Sequence, residues 1–194
     1  TFKVLSNLAK KDHRIQVFKP WEHSGIIGKL KNWACSLGKG HILVELDHDD
    51  ELTDYALDYV VKGFKQFPEA GFLYTDCAEI FEDGTSYTYR EGWAFGYGSY
   101  TDVEYKGKLY KSGNGGNINA KTIRHIISAP NHIRAWRKSF YESIGGHNPG
   151  LHVADDYELL VRTFLKTRMV RVPKLCYLQT ISNTAQQVRN KDIH

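Results

Sequence analysis

The sequence predicts an α/β fold with a mostly parallel sheet flanked by helices. Three short apolar stretches suited to strands alternate with two stretches whose apolar residues recur every three or four positions, the spacing of one helix face. This alternation is typical of parallel sheets with helices packed on their faces. In such sheets ligands bind beyond the carboxyl ends of the strands, so functional residues are expected there.

The first half of the chain supplies this alternation. The predicted segments are a strand at 15–18, a helix at 25–38, a strand at 41–46, a helix at 53–66 and a strand at 71–76. Ser24 and Thr53 are expected to cap the two helices at their N-termini, and Gly38 is expected to end the first one.

The second half begins with a different composition. Residues 82–116 are rich in Gly, Tyr, Ser and Asn and are predicted to form a hairpin and loops. Beyond them, the predicted strands are 132–136, 169–172 and 175–178, and the predicted helices are 137–144 and 155–166. Gly145 and Gly146 are expected to end the first of these helices.

Charge and cysteine usage exclude some classes of protein. The net charge is +4, yet no block of five or six Lys or Arg residues occurs, so a nucleic-acid partner is not expected. The three cysteines are odd in number and far apart, which indicates free thiols and a reducing, cytoplasmic location. No apolar run reaches the roughly 18 residues of a membrane-spanning helix.

An acidic cluster follows the second predicted strand. Asp47, Asp49 and Asp50 lie just past it, and Asp76 closes the third strand. Paired carboxylates on a rigid strand end suit Mg²⁺ or Mn²⁺, which complete their shells with substrate phosphates and water. An acidic turn that caps the next helix is the alternative. A calcium EF-hand is a poor fit, because Leu52 stands where its loop requires glycine.

A second acidic pair, Asp155-Asp156, stands where a glycine-rich loop leads into a predicted helix. A carboxylate at a helix N-terminus is stabilised in its ionised form. It could therefore accept a proton from an incoming hydroxyl group. Simple helix capping is the alternative.

Taken together, these segments resemble the family 2 glycosyltransferases, inverting enzymes with the GT-A fold. The matching pieces, in order, are Asp12-His13-Arg14-Ile15, Gly25 to Ala34, Gly40 to Asp50, Tyr74-Thr75-Asp76, Asp83-Gly84, Arg137 to Gly146 and Ala154 to Leu159. The resemblance implies a GT-A-like, Rossmann-like sheet with a hairpin and loop acceptor region. The N-terminal part of that fold has no recognisable counterpart before Thr1.

The resemblance also implies roles for individual residues. Asp156 is expected to be the catalytic base. The donor-binding set is Asp47 near the ribose and pyrophosphate, Lys31 near the nucleotide base, and Asp76; the metal ligands are Asp49 and Asp50. The acceptor is expected near Gly145, Gly146, Trp136 and Asp155.

The implied function is that of a hexosyltransferase that uses Mn²⁺ or Mg²⁺ and a nucleotide-diphosphate sugar, most naturally a UDP-sugar. Its acceptor would be a carbohydrate, a lipid-linked molecule or a protein. One domain, 1–194, is expected, with donor and metal binding in about 1–80 and acceptor binding and the base in about 81–194. The glycine-rich part of 92–116 is expected either to order over the substrates or to be an uninvolved loop.

Several departures keep alternatives open. Asp155 replaces the family's usual Glu, His23 replaces an Asn, and His147-Asn148 replaces Phe-Asp. No Gln-x-x-Arg-Trp string follows, so processive polymer synthesis is not expected. The alternatives are an inactive or truncated binding domain and, from other classes, a nucleotidyltransferase or an Asp-x-Asp phosphatase.

Overall fold

The computed structural model describes residues 2–20, 24–127 and 129–181 of the chain. The helices are α1 (Phe2–Lys11), α2 (Ile27–Leu37), α3 (Ala56–Gln66), α4 (Ala120–His125), α5 (Lys138–Ser143) and α6 (Asp155–Lys166). The strands are β1 (Ile42–Val44), β2 (Glu51–Leu52), β3 (Phe72–Phe81), β4 (Ser86–Tyr87), β5 (Tyr100–Tyr105), β6 (Lys108–Gly113), β7 (Arg134–Arg137) and β8 (Met169–Ile181). None of these helices is long and apolar enough to cross a membrane.

The strands form one mixed sheet around β3. The strand β8 runs parallel to β3 along its whole length, while β7, β6 and β4 pair with β3 in antiparallel orientation. The strands β1, β2 and β5 extend the sheet by further antiparallel pairings with β7, β8 and β6. The mostly parallel sheet predicted from the sequence is therefore wrong.

The error has a topological cause. The strands β1 and β3 are both antiparallel to β7, so they run in the same direction, as the sequence suggests. They are not neighbours, because β7 arrives from much later in the chain and lies between them. The order of elements along the chain cannot reveal such an insertion.

Alternating residues of the sheet build a core on each of its faces. Leu73 and Ala135 pack with α3 on one face, while Phe72 and Trp136 pack with α5 and α6 on the other. Side chains of a strand point alternately to opposite faces, which explains this division. The result is a sheet covered by helices on both sides, as the sequence predicted.

Most predicted elements exist, with corrected limits. The predicted α6 has the observed limits, and Gly38 does end α2, where its N–H donates to the carbonyl of Cys35. Ser24 and Thr53 do not cap α2 and α3, which start after Ile26 and Tyr55 without a side-chain cap. The two strand pieces around Pro173 form one strand with a bulge, and 15–18 is not a strand. The helix α1 was not predicted. The hairpin predicted within 82–116 is formed by β5 and β6. His23 lies outside the described residues.

Candidate functional site

The two predicted acidic clusters meet at one place in the fold. The chain leaves β1 through Glu45 and Asp47, and the first turn of α6 brings Asp156 to the same region. Arg134, the first residue of β7, bridges them: its Nη1 atom lies 2.9 Å from Asp156 Oδ2 and 4.0 Å from Glu45 Oε2. The sheet therefore joins two segments that stand about a hundred positions apart in the sequence.

Glu45 lies at the centre of this group. Its side chain is buried, and its carboxylate is 2.8 Å from His147 Nε2 and 3.9 Å from Lys31 Nζ. Burial alone would raise the pKa of Glu45, but Lys31, His147 and Arg134 hold it well below its usual range. The carboxylate is therefore ionised and is neutralised by cations from three different elements.

His132 is the neutral member of the group. Its Nε2 atom is 3.8 Å from both Glu45 Oε2 and Asp47 Oδ2, and its ring stacks on Tyr177 with centroids 4.7 Å apart. Burial and the nearby Arg134 charge lower the pKa of His132 to about 3. The imidazole is thus uncharged at neutral pH and can orient carboxylates without adding charge.

Several buried polar atoms in this group have charged neighbours but no hydrogen bond of good geometry. Among the described residues, they are both carboxylate oxygens of Glu45, Nε2 of His132, Nε2 of His147 and Oδ2 of Asp155. Buried polar atoms are nearly always hydrogen-bonded, and a catalytic role is one of the explanations for an exception. Their concentration around Glu45 marks this group as the candidate functional site.

His147 is buried and is held by contacts with several residues. Its Nδ1 atom and its backbone N–H both contact the Tyr141 hydroxyl, at 2.8 and 3.0 Å, and its carbonyl accepts a hydrogen bond from Asn32. Burial alone would lower the pKa of His147, but contacts with the Cys35 thiol and the Glu45 carboxylate raise it to about 9. The imidazolium and Glu45 therefore form a buried ion pair.

The double glycine shapes the turn that places His147. Gly145 and Gly146 have φ values of +87° and +62°, which other residues adopt only with strain. A Cβ atom on Gly146 would lie 2.6 Å from the Tyr141 ring. The two glycines therefore allow Tyr141 to reach His147. The predicted acceptor contact at this turn stays a prediction.

The two aspartates of α6 differ in their exposure and in the direction in which their pKa values are shifted. Asp156 is 35% exposed; burial alone would raise its pKa, but the Arg134 ion pair and the N–H of Tyr157 lower it. Asp155 is buried, and burial together with the Asp156 charge raises its pKa. Asp156 is therefore the ionised, partly exposed carboxylate of the pair, and its role as the base stays a prediction.

The carboxylates after β1 also differ in their exposure and in their hydrogen bonds. Asp47 is 40% exposed and lies 3.6 Å from Lys31 Nζ, and Asp49 is 43% exposed. Asp50 uses both oxygens inside the fold, accepting from the Tyr177 hydroxyl at 2.7 Å and from the Thr180 N–H at 2.8 Å. Asp50 thus holds the turn in place, and this placement does not support it as a metal ligand.

Two other predicted residues lie elsewhere. Asp76 is in the middle of β3, not at its end, and both its oxygens pair with Arg171 at 2.8 and 2.9 Å. Trp136 is 1% exposed and donates a hydrogen bond to Thr163 in the core. These positions do not support a donor contact for Asp76 or an acceptor contact for Trp136.

Metal binding by protein groups alone is not evident in this region. Within the described part of the chain, no three His, Cys, Asp or Glu side chains are grouped so that they could hold an ion. A Mg²⁺ or Mn²⁺ ion that takes one or two carboxylates and completes its shell with phosphates and water needs no such group. Asp49, with its partly exposed carboxylate, fits that requirement.

Sequence reasoning missed four members of the site. They are Glu45, His132, Arg134 and His147. A signal was present, since Glu45 interrupts the apolar stretch 41–46, and His132 and Arg134 stand in a predicted strand beside apolar residues. Charged residues are almost never fully buried without partners, so charges in core strands predict a buried ion cluster.

The chain is similar to two curated proteins over most of its own length. No protein-family model matches the chain. It is 27% identical over 161 residues to the uncharacterized protein y4gI of Sinorhizobium fredii (strain NBRC 101917 / NGR234), covering 82% of the chain and 15% of that protein. It is 22% identical over 193 residues to the chondroitin synthase of Pasteurella multocida (strain Pm70), covering 99% of the chain and 17% of that protein.

Solved structures define the class of fold. The chain has the GT-A-like glycosyltransferase fold, in a form dominated by antiparallel pairings. It superposes on residues 1–349 of S. aureus TarS in complex with UDP with a TM-score of 0.63 at 14% identity, covering 92% of the chain and 48% of that structure. For TarS 1–349 alone the TM-score is 0.61 at 15% identity. The chain spans about half of these structures and a smaller part of its curated relatives.

The close approach of α2 to the start of α6 can be tested at Gly28. A Cβ atom there would lie 2.8 Å from the Asn148 carbonyl oxygen and 2.9 Å from Asp155 Cβ. Overpacking costs about 1–3 kcal/mol, and the better helix propensity of Ala offsets only about 1 kcal/mol. We expect Gly28→Ala to lower the free energy of unfolding in urea.

Gly40→Ala is the matched control for that experiment, because its Cβ would meet only ordinary contacts, the nearest at 3.5 Å. It should leave the free energy of unfolding nearly unchanged. Equal stability of the two variants would contradict the close packing of α2 on α6.

The buried His147–Glu45 pair predicts a pH dependence of stability. The pKa of His147 rises from 6.5 to about 9 on folding, so its stabilisation is complete below 6.5 and is lost as pH rises through about 9. The full effect is on the order of 3 kcal/mol. We expect the free energy of unfolding of the wild type to fall over this range.

His147→Gln should be less stable and should show a flatter pH profile, because it lacks the titrating imidazole. The exposed His41 offers a control, and His41→Gln should keep the wild-type profile. A His147→Gln profile as steep as that of the wild type would assign the titration to another group.

Proposed function

We propose that this chain transfers a sugar from a nucleotide-diphosphate donor, with a UDP-sugar as the expected donor, to an acceptor hydroxyl group. We propose further that it does so with inversion, as a divalent-metal-dependent hexosyltransferase of family 2. The observation that favours this function most is the state of the Asp156 carboxylate. An accessible carboxylate is kept ionised by a buried arginine, beside a second group of carboxylates, in a fold shared with a UDP-bound protein.

The donor side of the proposed site is built from Lys31 and Asp47. Lys31 is mostly buried between Glu45 and Asp47, and although burial alone would lower its pKa, these carboxylates raise it. It therefore stays protonated and is suited to a phosphate or a nucleobase oxygen. The partly exposed Asp47 is suited to the ribose hydroxyl groups.

Asp49 is the residue that would hold a Mg²⁺ or Mn²⁺ ion together with donor phosphates. Such an ion, when bound, would offset the charge of the departing diphosphate. Asp50 supports the turn through Tyr177 and Thr180. This division assigns metal contact to the first of the two aspartates and turn geometry to the second.

Asp156 is proposed to act as the general base. Its carboxylate takes the proton of the acceptor hydroxyl, whose oxygen forms a bond to the anomeric carbon as the bond to the diphosphate oxygen breaks. The electron pair of the broken bond leaves with the nucleoside diphosphate, and one displacement inverts the anomeric centre. Arg134 keeps the base deprotonated before the reaction and orients its Oδ2 atom.

The base assignment is tested by Asp156→Asn. The amide keeps the shape of the side chain but cannot take the proton, so we expect sugar transfer to fall by a factor of about 10² to 10⁴ while UDP affinity changes little. Initial rates with UDP-sugars and UDP titration calorimetry measure the two quantities. The exposed Asp58 on α3 provides a control, since Asp58→Asn should retain both.

Two outcomes would separate the alternatives. Transfer by Asp156→Asn at the wild-type rate would remove Asp156 from the reaction. UDP binding by a wild type that shows no transfer with any UDP-sugar would favour the binding-domain function over catalysis.

The metal assignment is tested by Asp49→Ala. If Asp49 holds the ion, Mn²⁺ should strengthen UDP binding to the wild type and should do so much less in this variant. UDP titrations with Mn²⁺ and with EDTA give the comparison. Asp102→Ala is the control, because this half-exposed aspartate pairs with Lys111 on the hairpin. An equal Mn²⁺ effect in wild type and Asp49→Ala would exclude Asp49 as the ligand.

A further inference from the structure

A strip of aromatic rings lies along the ends of β3, β4 and β5. Tyr87 contacts Tyr89 edge-on, Tyr89 stacks on Trp93 with centroids 5.4 Å apart, and Trp93 packs on Tyr100 at 5.3 Å. The chain of contacts begins at Phe81, whose ring meets Tyr87 at 5.7 Å. We call these five residues the aromatic strip.

The strip is preorganised by its surroundings. A Cβ atom on Gly98 would lie 2.1 Å from the Trp93 ring, so the indole rests directly on the backbone there. The amide of Asn114 holds the same loop by donating to the Tyr97 carbonyl and the Ser99 hydroxyl, both at 2.9 Å. A platform that is rigid before binding loses little conformational entropy when a ligand stacks on it.

The strip is also partly open to solvent at Tyr89, its middle ring. Tyr89 is 41% exposed although its ring is stacked on Trp93 and its hydroxyl donates to Glu79 Oε2 at 3.3 Å. Single exposed apolar side chains are common on protein surfaces. A partly exposed ring that is stacked on a second ring and has a carboxylate at its hydroxyl is instead suited to a ligand site, in which apolar surface is combined with a few placed polar groups.

A row of polar contacts leads from the strip to the proposed active site. The Asn131 amide donates to Glu79 Oε1 at 3.3 Å and to Gln179 Oε1 at 2.7 Å, and its carbonyl oxygen accepts from the backbone N–H of His132. The His132 ring in turn lies 3.8 Å from Asp47. Tyr89 is thus linked to the donor side through Glu79, Asn131 and His132.

We propose that Tyr89, together with the Glu79 carboxylate beside it, forms an acceptor subsite for a neutral pyranose ring. This rests on the proposed function, because it names the substrate class for the acceptor side of that reaction. One face of a pyranose presents C–H groups that pack on an aromatic ring, and its hydroxyl groups can donate to Glu79 and Gln179. A uronate is disfavoured there, because its carboxylate would meet that of Glu79.

Titration calorimetry with the 194-residue chain at mildly alkaline pH tests the subsite. The ligands are neutral trisaccharides of glucose, galactose and N-acetylglucosamine. We expect at least one to bind the wild type, and Tyr89→Leu to weaken it about tenfold, as for the loss of one aromatic contact. Tyr89→Phe, which keeps the ring, should retain most of the affinity. Phe18→Leu is the matched control, because this ring is 48% exposed and packs on Trp33 instead.

A second variant tests the role of charge without removing the ring. Glu79→Gln should reduce the preference for neutral trisaccharides over a chondroitin tetrasaccharide, which contains uronate. An unchanged preference would overturn the role of Glu79. Equal saccharide affinity of wild type and Tyr89→Leu, or the absence of neutral saccharide binding by the wild type, would overturn the subsite.

UDP titrations of the same variants keep this proposal separate from the proposed function. We expect UDP affinity to be equal in wild type, Tyr89→Leu and Phe18→Leu. A loss of UDP affinity in Tyr89→Leu would place a nucleobase on the ring and overturn the saccharide subsite. Saccharide binding by a wild type without UDP affinity would support the subsite and contradict the donor proposed above.

Discussion

The fold around the candidate site depends on the burial of one carboxylate, that of Glu45. An unpaired charge inside a protein costs several kcal/mol, so a buried carboxylate requires partners. Here the partners come from α2, from β7 and from the loop before α6: Lys31, Arg134 and His147. These elements are distant in sequence, and satisfying Glu45 brings them to one point. The carboxylate therefore acts as a constraint on tertiary structure as much as a part of the site.

Arg134 extends this constraint to the proposed base, because its guanidinium contacts both Glu45 and Asp156 while Pro130 accepts from its Nε atom. Three cations, Lys31, Arg134 and His147, face three carboxylates, Glu45, Asp47 and Asp156. A group balanced in this way has little net positive charge to offset a diphosphate, although Lys31 can still donate a hydrogen bond to one of its oxygens. This balance is an argument for the divalent ion that we propose as the partner of the donor phosphates, and Asp49, its proposed ligand, lies outside the balanced group.

Local patterns predicted the parts of this molecule that depend on local chemistry. The helical repeat of 155–166 gave α6 with its observed limits, and the strand before Asp47 was recognised from its apolar residues. Features that depend on residues distant in the chain could not be predicted from the sequence. The insertion of β7 between β1 and β3 made the sheet mixed, the Arg171 ion pair occupied Asp76, and the hydrogen bond to Thr163 kept Trp136 in the core. Each of these is set by a residue at least 27 positions away in the chain.

The adjacent aspartates of α6 show why a motif alone could not assign roles. Sequence places Asp155 and Asp156 in the same helical turn, yet the fold pushes their pKa values in opposite directions. Asp155 turns toward α2, where Gly28 leaves room for its Cβ atom, and becomes buried. Asp156 turns toward Arg134 and stays ionised and reachable. Two carboxylates with pKa values driven apart by their environments are the usual basis for dividing acid and base roles. The absence of a side chain at Gly28 thus helps to decide which aspartate can serve as the base.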